Sequence, residues 1–231
     1  MAEPIGSFAG IPRAGLEFLA GLAAHNEREW FEAHRAAWDN ELLPAMISLC
    51  AQLQARVADV LPGLTFVPRV GGSLFRLNRD IRFSRDKKPY DTHAAAVLWE
   101  GAEKQSAPGV SLQIGPEQVV FGGGLPVFEE AQLDRFRKRV MQEAAGEMLS
   151  EALASAKKRG LLPEGEKLAK PPRGVPVDHP RAELSKHKGL ALAQTLPGGA
   201  WVQTAELLDK AEAAARAYAP LHVWLRDQLC A

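Results

Sequence analysis

A chain of 231 residues is long enough to bury roughly 70% of its unfolded surface and to build one substantial core. With 46% hydrophobic and 24% charged residues it has the make-up of a folded globular protein and not of a disordered chain. Its 28 basic and 28 acidic side chains cancel, which argues against a surface coated in positive charge for nonspecific nucleic-acid binding and leaves only a local basic patch open. The two cysteines, Cys50 and Cys230, belong to no CxxC pair, so zinc and redox motifs are absent and two reduced, structural thiols are expected. The N-terminal "MAEPIGSFAGIPRAG" has no basic start followed by an apolar run, and no stretch approaches the ~18 apolar residues of a membrane span. A cytoplasmic protein without a membrane partner, folded as one α+β domain over residues 1–231, is the expectation.

Pro12 suits a first helical turn, and Leu16, Leu19, Leu22 and Ala23 recur on one face, so a first helix is predicted to run to about His25. Asn26 is expected to cap a second helix, with Glu29 three residues on completing a variant capping box and Trp30, Phe31, His34 and Trp38 at helical spacing. These aromatics read as core. Pro44 should kink or restart that helix before the apolar stripe Ile47, Cys50, Leu53, Val57 and Leu61, which ends at Pro62 and Gly63.

Beyond Gly63 the period changes to two, at residues 74–83, 94–99, 110–114 and 119–121, which predicts an antiparallel meander. Gly115 and Pro116 mark a hairpin turn, and "FGGGLP" at 121–126 is expected to end the sheet. Helix resumes over 129–159, acidic at its start and basic before Gly160, with Gly146 as a possible division. Residues 160–199 read as a long irregular segment with one short helical run at 181–186, and a last helix spans about 204–229. The predicted architecture is a small antiparallel sheet, about residues 64–122, with N-terminal and C-terminal helices packed on one face.

Chemistry concentrates in "RLNRDIRFSRDKKPY", residues 76–90, where six bases and two acids leave a local excess of four positive charges. As a strand this stretch puts Phe75, Leu77, Ile81 and Phe83 on one face and Arg76, Asn78, Asp80 and Arg82 on the other. Arg79 falls on the apolar face, where an unpaired guanidinium is costly, so Asp80 or Asp86 must partner it after a turn. Closely spaced arginine forks and a lysine point charge suit one phosphate or carboxylate. Arg76, Arg79, Arg82, Lys87 and Tyr90 are therefore the candidate ligand-binding residues for a small anionic or phosphorylated partner, with Asp80 and Asp86 orienting the bases.

Two other readings fit the same residues. In one, a hydrolase or transferase acts on an anionic substrate, with Asp80 or Asp86 as base, His93 assisting, and the arginines stabilising developing charge. No nucleophile motif accompanies them. In the other, the stretch is a structural ion-pair network within a protein-interaction domain. The histidines of "DHP" at 178–180 and His187 match no metal-ligand spacing, and Asp178 reads as the N-cap of a short helix, so no metal is assigned. The glycine clusters at 70–73 and 121–124 lack the features of a P-loop or dinucleotide fingerprint and read as turns; no cofactor is implied. The pattern leaves the oligomeric state open.

The spacing RxxRDxRFxxDKxxY resembles the signature of an uncharacterised bacterial and fungal family, domain of unknown function family 2461. The similarity extends to "FAGIPRAGLEFLAGLAAHNEREWFEAHRAAW", "FGGGLPVFEEAQLDRFR" and "LAKPPRGVPVDHPRAELSKHK", which together with the motif touch most of the chain. The resemblance implies that Arg76, Arg79, Asp80, Arg82, Phe83, Asp86, Lys87 and Tyr90 form one motif, and it brings no reaction, cofactor or catalytic assignment. The chain departs from the family pattern at His25, where Asn is common, and at Asp91, where Lys is common. The second departure makes the local field less positive.

Overall fold

A computed structural model describes residues 7–230; the first six residues of the N-terminal stretch and Ala231 lie outside the described residues. Three helices come first, α1 (Arg13–Ala24), α2 (Arg28–Ala37) and α3 (Leu43–Arg56). Phe18, Leu19 and Leu22 of α1 are buried, and Phe18 meets the Phe31 ring of α2 edge-on at 6.0 Å. A π-helical turn, Trp38–Leu42, joins α2 to α3 and places Pro44 in the first turn of α3, where its missing N–H costs nothing. Asn26 does not cap α2. Glu27 occupies the N-cap without a side-chain hydrogen bond, because the Asn26 amide is engaged elsewhere, as described below.

The meander is present as β1 (Ala94–Trp99), β2 (Gly109–Ile114) and β3 (Gln118–Leu125), with the Gly115 N–H closing the expected turn onto the Gln118 carbonyl at 2.9 Å. The sheet does not end at the glycines. β3 runs through Gly122, Gly123 and Gly124 to Leu125, and the segment expected to be irregular supplies β4 (Leu162–Glu164) and β5 (Leu190–Pro197), giving the all-antiparallel order β1-β2-β3-β5-β4. Nor do residues 74–83 form a strand. Ser73 and Phe75 bond the edge of β1, through Val97 N–H to Ser73 O and Phe75 N–H to Ala95 O at 2.9 Å each, and the chain then leaves the sheet as its charged run begins. Of the apolar face expected there, Leu77 is buried, whereas Phe75 is 46% exposed and Phe83 94%.

The later helices are α4 (Glu130–Met141), α5 (Glu143–Lys158) and α6 (Glu206–Leu225). Glu129 and Gln132 form a capping box at the start of α4. The break falls at Gln142, not at Gly146, which lies inside α5: a Cβ there would stand 2.4 Å from Arg181 Nε. The glycine makes room for a buried guanidinium that donates to the Val140 carbonyl at 2.8 Å and pairs with Glu143. No helix begins at Asp178, and the helical run expected at 181–186 reduces to one 3-10 turn, Leu184–Lys186.

α6 packs on β3 and β2 and α3 on β1, so the helices cover one face of the sheet. Ala96, Leu98, Leu112, Ile114, Phe121 and Leu192 point into that layer and join Leu207, Leu208, Tyr218 and Trp224 of α6 and the N-terminal helices in one apolar cluster. Gly123 lets the Tyr218 ring approach, since a Cβ would lie 2.5 Å from it. The other face carries short or half-buried side chains, among them Ala95, Val97, Ser111, Gln113, Ala191 and Ala193. Among the described residues no helix is long and apolar enough to cross a membrane.

Candidate anion site at the 76–91 loop

Residues 77–91 form a loop closed at its base like a hairpin. Asn78 and Tyr90 bridge, the Arg79 N–H donates to the Pro89 carbonyl at 2.9 Å, and the Asp91 N–H donates to Leu77 O at 2.8 Å. The base is tied to the turn between α1 and α2: the Asn26 side chain donates to the Tyr90 carbonyl and accepts from the Tyr90 N–H, both at 3.0 Å. The Tyr90 ring stacks on Phe31 at 4.4 Å and is 4% exposed. The Tyr90 ring thus anchors the loop.

Within the loop the charges largely satisfy one another. Arg79, its side chain 26% exposed, donates to Asp86 Oδ2 at 2.8 Å and to the Lys88 carbonyl at 3.0 Å, and lies 3.6 Å from Asp91. The partner demanded by its position is Asp86. Arg82 grips Asp80 with both arms of its fork, Nε to Oδ1 at 3.0 Å and Nη2 to Oδ2 at 2.7 Å, and Lys87 donates to the Ile81 carbonyl at 3.0 Å. The Arg82 fork holds the Asp80 carboxyl below the usual carboxylate range; the Lys88 N–H, followed by Arg79, does the same for Asp86. Both are therefore firm anions and poor proton acceptors near neutral pH.

Arg76 differs. Among the described residues it makes no hydrogen bond or ion pair, acting on Asp80 only through space. It stands in the wall of a cleft of about 480 Å³ with Phe75, Asn78, Arg79, Asp80, Asp91 and His93, whose floor is Ala95 and Gln113 from the helix-free face of the sheet. Of the catalytic candidates, His93 and Asp80 share this cleft and Asp86 does not line it. Arg82 and Lys87 do not line it either, and Tyr90 borders a neighbouring cleft of about 390 Å³ that also reaches Arg76.

Three contributors escape sequence reasoning. Asn26 looks like a cap because its loop partner is 64 positions away. Ala95 and Gln113 become one floor only through the β1–β2 register, which pairs them. For Gln113 the alternation of β2 was the available signal, since it puts that side chain on the face opposite the core; Ala95, between two alanines, carries none. Among the described residues no group of three or more His, Cys, Asp or Glu is placed to hold a metal ion. His179 accepts from the Arg181 N–H at 3.1 Å, and His187 is buried.

The model of the family described as "Conserved hypothetical protein (DUF2461)" matches residues 14–224, from the first turn of α1 almost to the end of α6. The chain belongs to this family. No curated protein and no solved structure matches it. The DUF2461 match takes in the loop, the sheet and the helix-free face together, so the Arg76 cleft lies wholly inside the family's span.

Proposed function

We propose that this DUF2461 protein binds a small anionic or phosphorylated ligand in the cleft beneath the 76–91 loop, with Arg76 as the principal charged contact. The observation that carries the reading is the unpaired Arg76 guanidinium on the wall of a cleft of about 480 Å³. Of the other charges lining that cleft, Asp80 is gripped by Arg82, and Arg79 is shared between Asp86 at 2.8 Å and Asp91 at 3.6 Å, so Arg76 is the guanidinium of that lining with its donors still open to an ion. In this reading Arg79, Arg82 and Lys87, with Asp80 and Asp86, fix the shape of the loop, and Tyr90 fixes its base; the result is a preorganised wall. His93 adds a ring nitrogen at the same cleft.

A hydrolytic role draws on one observation, the presence of His93 and Asp80 in that cleft. Against it stand an Asp80 carboxylate whose basicity the Arg82 fork lowers and a lining without Ser, Thr or Cys. Binding is the better fit.

A thermal-shift screen of phosphates, nucleotides and carboxylates at several salt concentrations tests the reading. A ligand at one hundred times its dissociation constant adds about 2.7 kcal/mol, and the gain should shrink with salt. Arg76→Ala should abolish the gain and leave the unliganded melting temperature unchanged, since Arg76 has no partner to lose. If no anion stabilises the protein, or Arg76→Ala responds as the wild type does, the loop is an internal ion-pair network and the binding reading is lost.

A further inference from the structure

Phe75 and Arg76 also line a second, larger cleft of about 800 Å³, on the far side of Phe75 from His93. Its floor is Val97, Gly109 and Gly124 of the same helix-free face, and its far wall is Pro126 and Val127. The floor is held low by backbone packing. Gly109 and Gly124 are directly paired across β2 and β3; a Cβ on Gly109 would lie 2.8 Å from Val97 Cγ2, and Gly124, at φ +145°, would carry its Cβ 2.4 Å from Ala191 Cα. No side chain fits at either position. Phe75 at 46% exposure and Val127 at 71% leave apolar surface open to water on opposite walls of this cleft. Lys104 donates to the Gly72 carbonyl at 2.7 Å and stands 4.9 Å above the Phe75 ring, so both cations of the lining, Arg76 and Lys104, lie on the Phe75 side.

We propose that the two clefts are one bipartite site and that its ligand is an amphiphile, a phosphate monoester or carboxylate whose charged head meets Arg76 and whose apolar group lies across Val97, Gly109 and Gly124 between Phe75 and Val127. The proposal rests on the anion reading above and adds the chemistry of the rest of the ligand. A cation at the junction of a polar cleft and an apolar one is complementary to a molecule with charge at one end. The larger cleft is of the size that holds one small molecule, with no need for a macromolecular partner.

Calorimetric titration with methyl, butyl and hexyl phosphate, with hexanoate and with hexanol tests this. Each methylene that the floor buries should tighten binding about fourfold, so burial of only three of the five methylenes that hexyl phosphate adds to methyl phosphate should tighten binding ~60-fold. The double variant Val97→Thr, Val127→Asn changes the apolar cleft alone, since neither residue lines the Arg76 cleft. It should keep methyl phosphate binding and lose most of the chain-length gain. Val127→Asn by itself, at an exposed position, should lose part of that gain in a protein whose fold is untouched. Arg76→Ala should weaken every phosphate. If methyl phosphate binds and chain length adds nothing, the amphiphile proposal fails while the anion reading survives; if no phosphate of any length binds and hexanoate does not bind either, the amphiphile proposal fails, and the anion reading fails with it when the thermal-shift screen is also blank. Hexanol binding as tightly as hexyl phosphate, or a double variant with the full chain-length gain, likewise overturns the proposal.

Discussion

Asn26 uses both ends of its amide on the backbone of Tyr90, and nothing else among the described residues ties the loop base to the α1–α2 turn by side-chain hydrogen bonds. Removing it leaves a part-buried N–H and C=O without partners, so Asn26→Ala should cost about 1–2 kcal/mol, read as a lower denaturant midpoint at unchanged slope. The Tyr90 amide should also exchange its hydrogen faster. By contrast, the Arg82–Asp80 pair is well formed but its side chains are 77% and 47% exposed, so Arg82→Ala should change stability by less than about 1 kcal/mol. A loss larger than that for Arg82, or none for Asn26, would reverse this ranking. Cys50 offers a third check. Burial pushes its thiol up to about 12, so in the folded protein at pH 8 it should resist thiol reagents that label the exposed Cys230. The residue scale is also where the sequence is hardest to interpret. That Arg79 needs a carboxylate followed from its position, but that Asn26 serves the loop and not a helix depended on a contact no local pattern encodes.

At the scale of elements, legibility followed contrast between neighbouring side chains. Helices α1, α3 and α6 repeat apolar residues at helical spacing, and β2 alternates Val110, Leu112 and Ile114 with Ser111 and Gln113; β1, AAAVLW, is a short apolar run between polar flanks and is legible by that alone. β5 alternates too, Leu190 and Leu192 buried against Ala191 and Ala193, but the leucine–alanine contrast is low and the surrounding prolines and glycines mask it. β4 has three residues, all exposed, one of them proline, and no sequence signal of its own. The 74–83 stretch shows the opposite failure. It alternates clearly, yet its charges need partners that only a loop supplies. The segment before β5 also carries a titratable device: His187 bridges to Lys167, and burial pushes its imidazole down to about 4. With the folded value below the unfolded ~6.5, the unfolded chain takes up the proton first as pH falls, so stability decreases from about pH 6.5 down to about pH 4. Below that it levels off for this group. The buried His222 is lowered as well, mainly by desolvation, and contributes in the same direction. Stability from urea unfolding at pH 7, 6 and 5 should therefore fall, by up to ~1.4 kcal/mol per pH unit from His187, and His187→Gln should flatten the slope. An unchanged slope in that variant would assign the whole effect to other groups.

On the scale of the whole molecule, the apolar cluster runs from Phe8 and Ile11 before α1 to Leu229 after α6 and includes both walls of the helix layer and the inner face of the sheet. α6 lies at its centre: it touches β3, β2, α3 and α5, and Tyr218, Leu221 and Trp224 on it are buried completely or nearly so. A cluster that draws on both ends of the chain cannot lose one end and keep the other, so unfolding should be a single cooperative event over the described residues. The tryptophans make this testable, because Trp30 and Trp38 report the N-terminal helices, Trp99 the sheet, and Trp201 and Trp224 the C-terminal elements. Fluorescence and circular dichroism at the helix band should trace one coincident transition in urea. Calorimetry should give equal calorimetric and van't Hoff enthalpies with a heat-capacity change of about 3 kcal/mol/K, the value expected if some 230 residues unfold together. Trp224→Ala, which removes a side chain 2% exposed and its hydrogen bond to the Ala145 carbonyl, should lower the single midpoint by the equivalent of about 3–5 kcal/mol without splitting it. Two resolved transitions, or a tryptophan signal that precedes the loss of helix, would mean that the N-terminal helices and the sheet with α6 are separate folding units, and the expectation of one domain would then be wrong.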